Sequence, residues 1–249
     1  MTILQHKCIL CSHCSAICPE GAVTIEKETG EEFSSLNEGF PDNLRHLIKM
    51  RRSIRFYKND PISREVINNI VNTVNHAPTG TNSRGVGMTI LDSREKVNEL
   101  TDILMSHFDM ITRILLNFIT YPFLVLILGK VKTGKLFSYK KLISKYWEGD
   151  NILTYNAPLL MIFHAHRKSS APAQDGVIWA TTAMYYTESM GIGTCFNGFM
   201  VIGINTCRKA RKFLKLKRNQ KIYETFTAGY PRFSYKRSAV RTDLNVTFI

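Results

Sequence analysis

Apolar residues recur along this chain in two rhythms, and these divide it into helices and strands. Val66, Ile67, Ile70, Val71 and Val74 keep helical spacing behind Ser63, whose hydroxyl suits an N-cap, and Ala77-Pro78 stops the run. Ser93 opens a second helical stretch that carries Val97, Leu100, Ile103 and Leu104. A third helix is predicted over 175–190. It is apolar on more than one face and ends at Gly191, which suits a helix buried in the core or in a subunit interface. The runs 86–91 (VGMTIL) and 159–164 (LLMIFH) have the length and composition of buried strands, and 225–229 and 244–248 are predicted as the last two. Helices and strands interleave, with too few strands for a barrel. The expected fold class is α+β, with helices packed on a central sheet.

The run 114–129 (ILLNFITYPFLVLILG) holds sixteen residues without a charge. As a helix it spans about 24 Å against a hydrocarbon core of roughly 30 Å, and Pro122 interrupts its hydrogen-bond ladder. It therefore reads as a buried or dimer-facing segment. Contact with a membrane surface, helped by Lys130, Lys132 and Lys135, is a weaker reading, and a true span is weaker still.

Lys and Arg number 33 against 20 Asp and Glu, a formal net charge of +13. The hydrophobic share of 44% supplies a core and excludes a disordered chain. No repeat of 20 to 50 residues is present. The six cysteines are uneven: Cys8, Cys11, Cys14 and Cys18 lie within eleven residues, while Cys195 and Cys207 stand alone. A secreted disulfide framework would spread them. The start MTILQHKCILC also lacks the apolar stretch and small-residue cleavage site of a signal peptide, so a reducing, cytoplasmic setting is expected.

Cys8-x2-Cys11-x2-Cys14-x3-Cys18-Pro19 has the spacing of one half of a bacterial ferredoxin, in which short gaps set thiolates around a 4Fe-4S cube. In two-cluster ferredoxins the fourth Cys serves the other cluster, and this chain has one copy only. Three readings stand: an upstream half lost, a single cluster closed by Cys18 or another residue, or a zinc knot or empty relic. Six cysteines allow one fully thiolate-ligated cube at most. The expected organisation is a partial ferredoxin-like segment at 1–27, a polar linker at 28–40 and a main body at 41–249.

Arg51-Arg52-Ser53-Ile54-Arg55 precedes the first capped helix. It offers forked donors and a hydroxyl suited to a phosphate, with a third cation at a different spacing. Downstream follow Ala77-Pro78-Thr79-Gly80-Thr81-Asn82-Ser83, Asn156-Ala157-Pro158, the run 191–199 (GIGTCFNGF), and Gly229-Tyr230-Pro231 with Lys236 and Arg237 beyond. That ordered series resembles the nitroreductase family of FMN flavoenzymes, and with the cysteine segment the whole resembles ferredoxin-nitroreductase fusions.

The resemblance implies a central mixed or antiparallel sheet flanked by helices, and a homodimer with FMN at the subunit interface. It implies that Arg51, Arg52 and Ser53 hold FMN, with Arg55 near the flavin N1 and O2 edge. Thr79, Gly80 and Asn82 would reach FMN from the partner. Phe196, Asn197 and Gly198 would present backbone groups near N5, and Lys236 with Arg237 would complete the phosphate site. The chemistry is then at the flavin, with no side-chain nucleophile required. Arg84 stands where many relatives have Gln, and Asn197 where some have Glu, which leaves donor and substrate open. Cys195 reads as a packed residue beside the flavin.

The implied activity is reduction of nitroaromatic, quinone-type or other flat acceptors with electrons from NAD(P)H or from reduced ferredoxin or flavodoxin. Residues 208–221 carry eight Lys or Arg and no acid. They read as a solvated face or as a docking patch for an acidic electron carrier. Competing readings are a basic nucleic-acid-binding module with a zinc knot and an electron-transfer flavoprotein without a dedicated substrate.

Overall fold

A computed structural model describes residues 8–25, 27, 28, 30–33 and 35–249. Four antiparallel strands form its centre: β1 (Val86–Leu91), β2 (Leu159–His166), β3 (Gly193–Phe196) and β4 (Gln220–Gly229), in the spatial order β1-β2-β4-β3. Register pairs Met88 with Phe163, Met161 with Phe226, and Cys195 with Thr227. The sheet is antiparallel throughout.

Nine helices appear among the described residues: α1 (His13–Ala16), α2 (Phe40–Met50), α3 (Arg64–Val74), α4 (Arg94–Leu115), α5 (Thr120–Leu128), α6 (Lys130–Trp147), α7 (Pro172–Ser189), α8 (Gly198–Thr206) and α9 (Arg208–Phe213). Ser63 Oγ accepts from Val66 N at 3.3 Å and Ser93 Oγ from Lys96 N at 3.4 Å, so both expected caps start α3 and α4. Gly191, at φ 75°, follows the end of α7.

The uninterrupted apolar run of β2 exists because both of its faces are covered. Leu159, Met161 and Phe163 pack with Ile67, Ile70 and Trp179 of α3 and α7. Leu160 and Ile162 point the other way, into a second core with Leu100 and Leu104 of α4, Met200 and Ile204 of α8, and Ala210 of α9. Period-two alternation within a hydrophobic strand thus builds two helical layers on one sheet.

One expectation fails, and another holds only in its dimer-facing form, which a single chain leaves open. Residues 244–248 form no strand, and Leu244 and Phe248 are exposed. Alternating apolar residues make a strand only where a sheet edge takes their backbone groups, and no described strand of this chain pairs with them. The run 114–129 is not buried within the chain, for α4 ends inside it and α5 leaves much of its apolar surface uncovered. Among the described residues no single helix is long and apolar enough to cross a membrane, and α4 and α5 together bend by 85°.

Candidate functional site

The residues 51–57 form an extended strip laid against β3 rather than a helix or loop. Ser53 pairs in parallel with Thr194, Ile54 N donates to Thr194 O at 2.9 Å, and Tyr57 bridges to Pro231 beyond β4. Lys58 N adds a bond to Tyr230 O at 2.7 Å. Gly193 makes the close approach possible, since a Cβ there would stand 2.4 Å from Ile54 Cγ1. Tyr57 fixes the strip from beneath: its hydroxyl donates to Ile54 O at 2.7 Å and lies 2.9 Å from Thr227 Oγ1. Burial pushes the Tyr57 phenol far above its usual range, so it remains a neutral hydrogen-bonding group.

The strip therefore displays its cations from a fixed backbone. Arg52 donates to Lys49 O at 3.0 Å and to Arg237 O at 3.3 Å, and its guanidinium lies 6.0 Å from the Tyr235 ring centre. Arg51 and Arg52 thus lie at one end of the strip with the Arg237 backbone beside them, while the side chains of Lys236 and Arg237 are both exposed. Arg55 points to the other end, 5.8 Å over the ring of Tyr155.

Three cavities adjoin the strip: one of about 470 Å³, lined by Arg55, Phe56, Tyr57 and Arg94, and two that hold the expected site residues. The larger, about 730 Å³, is walled by α2, the end of α7 and residues 231–235, and includes Arg51, Arg52 and Ile54. The smaller, about 420 Å³, brings Arg55, Phe196, Asn197 and Gly198 together under side chains of α4 and α6. A Cβ on Gly198 would meet nothing within 4 Å, so the start of α8 presents bare backbone to open space. Asn197 is already committed: its Oδ1 accepts from Met200 N at 3.1 Å as the α8 cap, and its amide donates to Leu153 O. Burial raises the Cys195 thiol, with Arg55 acting in the opposite direction, and Ser53 gives it a hydrogen bond. It is a packed thiol, as its position implied.

Thr79, Gly80 and Asn82 line none of these cavities. Their turn is held at the start of α7, where Gly80 N donates to Asp175 Oδ1 at 2.8 Å. Asn82 Nδ2 donates to Ile9 O at 2.8 Å and Arg84 to Leu10 O at 3.4 Å, which seats the cysteine segment on the same turn. Thr81, Asn82 and Arg84 all have positive φ, an unusual density of left-handed backbone.

The expected metal ligands do not converge. Cys8 and Cys11 are exposed, Cys14 and Cys18 half-buried, and no group of three His, Cys, Asp or Glu among the described residues could hold a metal ion. Cys8 Sγ accepts from Leu10 N at 3.4 Å and Cys18 Sγ from Ala22 N at 3.3 Å, so these sulfurs are turned to their own backbone.

Glu188 was not legible as a site residue. It ends an apolar helix, yet it accepts from Thr194 Oγ1 beside the strip; burial raises its carboxyl, while Thr194 and then Arg51 draw it down. Only the tertiary pairing of α7 with β3 reveals it. Tyr155 has a faint signal, since it precedes Asn156-Ala157-Pro158, and both Tyr155 and Asn156 have positive φ.

The chain thus combines an α+β sheet, helices on both faces and a cationic strip bordered by cavities. The Nitroreductase family profile matches residues 48–230, and the chain belongs to that family. It is accordingly a nitroreductase-like oxidoreductase. Solved structures share the fold. A nitroreductase with bound FMN from Bacteroides fragilis is 19% identical, with 86% of this chain and 100% of that chain covered and a TM-score of 0.63. A nitroreductase with bound FMN from Desulfitobacterium hafniense is 18% identical over 83% and 97%, at 0.61. Iodotyrosine deiodinase bound to FMN and 3-iodo-L-tyrosine is 14% identical over 83% and 98%, at 0.57. No curated protein matches the chain.

Proposed function

We propose that this protein is a homodimeric FMN-dependent enzyme that reduces nitroaromatic or quinone-type acceptors with electrons from NAD(P)H or a ferredoxin-type donor. The observation that carries the reading is the strip 51–55, clamped on β3 with phosphate-type donors at one end and Arg55 beside open glycine backbone at the other. That donor set fits FMN, which combines a dianionic phosphate with a flat ring whose reduced form carries negative charge near N1 and O2. Bound FMN supplies hydride and single-electron chemistry at N5.

Each residue then has a task. Arg51, Arg52 and Ser53, with Lys236 and Arg237, hold the phosphate. Arg55 sets a fixed cation where ring charge develops, which raises electron affinity. Phe196, Asn197 and Gly198 form a floor of backbone that leaves one face open. Thr79, Gly80 and Asn82 are assigned to the partner's site, consistent with their lining none of the cavities described on this chain. One open face serves donor and acceptor in turn, so parallel double-reciprocal plots are expected; intersecting plots would overturn the shared-face mechanism.

The family match over the main body removes support from a nucleic-acid-binding module. A 4Fe-4S cluster is supported by cysteine spacing alone. The thiols as placed do not fit one, and no step is routed through it.

A further inference from the structure

Helix α5 is apolar along its whole length, yet only part of that surface is used. One side packs on α6, where Tyr121 meets Phe137 edge-on with ring centres 5.4 Å apart. The other leaves Phe123, Leu126 and Ile127 exposed at 64%, 84% and 76%, with Phe118 in the preceding turn at 83%. Large apolar side chains scattered singly need no explanation, whereas a contiguous group marks a contact surface.

Charge decides what covers it. The stretch Lys130–Trp147 carries six lysines and no acidic residue. Lys130, Lys135, Lys140, Lys141 and Lys145 are exposed, and among the described residues none of these five forms an ion pair. We infer that the α5–α6 hairpin docks on an anionic lipid bilayer, with the apolar side of α5 at the headgroup boundary and the α6 lysines against the headgroups. The segment lies on the bilayer and does not cross it: α5 is about 14 Å long against a hydrocarbon core of roughly 30 Å, and α4 turns away from it at 85°. A second copy is the rival cover. A two-fold contact would set this patch against itself and press two acid-free lysine helices together, whereas anionic headgroups neutralise the same charge. Tyr139 and Leu142 of α6 also wall the smaller cavity, so the docked bilayer lies beside the candidate site.

Sedimentation of the full-length protein with phosphatidylcholine vesicles, with and without phosphatidylglycerol, tests this. Binding is expected only to the anionic vesicles and should fall as salt rises. The pair Leu126→Asp and Ile127→Asp should abolish it. Lys140→Glu with Lys141→Glu, which leaves the apolar face intact, should weaken it by roughly thirtyfold. Circular dichroism checks that both variants fold, and the lysine pair decides if the aspartate pair does not. Failure of the parent to bind anionic vesicles, or unchanged binding in the lysine pair, overturns the proposal. So does a parent that ignores vesicles but whose dimer is split by the aspartate pair in ultracentrifugation, which would assign the patch to a second copy.

Discussion

Arg51 and Arg237 come from opposite ends of the main body, and Arg52 ties the two together through the Arg237 carbonyl. Charge-assisted bonds of the kind assigned to this pair are worth about 1.5–3 kcal/mol each. Replacing both with Ala should therefore weaken FMN binding by at least about a hundredfold, read by fluorescence titration, while the thermal midpoint of the apoprotein changes little. Glu188 offers a pH test. Burial raises its carboxyl in the folded state above the unfolded value, so the native state binds the proton more tightly, and stability falls as pH rises through that window. Glu188→Gln keeps a hydrogen-bonding partner for Thr194 and loses the titration. Its melting temperature should gain on the parent between the ordinary carboxylate range and neutrality; a constant difference would assign the decline to other groups. Ser63 and Ser93 could be read as caps because capping is local, needing only the next few residues. Glu188 could not, because its partner Thr194 reaches it through the fold.

The strip 51–57 owes its position to absent atoms as much as to hydrogen bonds. Gly193→Ala would drive a Cβ into Ile54, at a cost of about 1–3 kcal/mol, and push the arginines off β3. Flavin affinity should drop more than stability does, and adding Ile54→Ala should recover part of it; full FMN affinity in Gly193→Ala would show that β3 does not position the strip. Phe163→Ala, on the sheet face under α3 and α7, is the contrasting case. It should cost about 3–5 kcal/mol by cavity formation and lower the melting temperature without a specific flavin defect. Strand β2 was legible because two buried faces impose an apolar run on it; β1 is only half-buried between its ends, and β4 was legible over its buried second half alone. The four-residue β3 was visible only as a motif, being too short for periodicity to mark. The alternation at 244–248 misled for the converse reason: pattern without a pairing edge carries no strand. The helix α2 has no buried residue, and Phe40, Leu44 and Leu47 of its apolar side line the larger cavity.

For the whole molecule, the assignment of Thr79, Gly80 and Asn82 to a partner's site requires two chains. Light scattering should give twice the 28.5 kDa chain mass, and a flavin-retaining monomer would remove the cross-subunit role. Iron and sulfide analysis after anaerobic purification settles the cysteine segment: four irons per chain would mean that Cys8, Cys11, Cys14 and Cys18 rearrange from their present contacts, and none would leave the segment a structural cover on the Thr79–Arg84 turn. The proposed function has the main body built around FMN, and bound stoichiometry is its sharpest check. Folded protein mixed with FMN, freed of excess by gel filtration and then denatured, should release close to one FMN per chain. Folded protein that retains none would contradict the account.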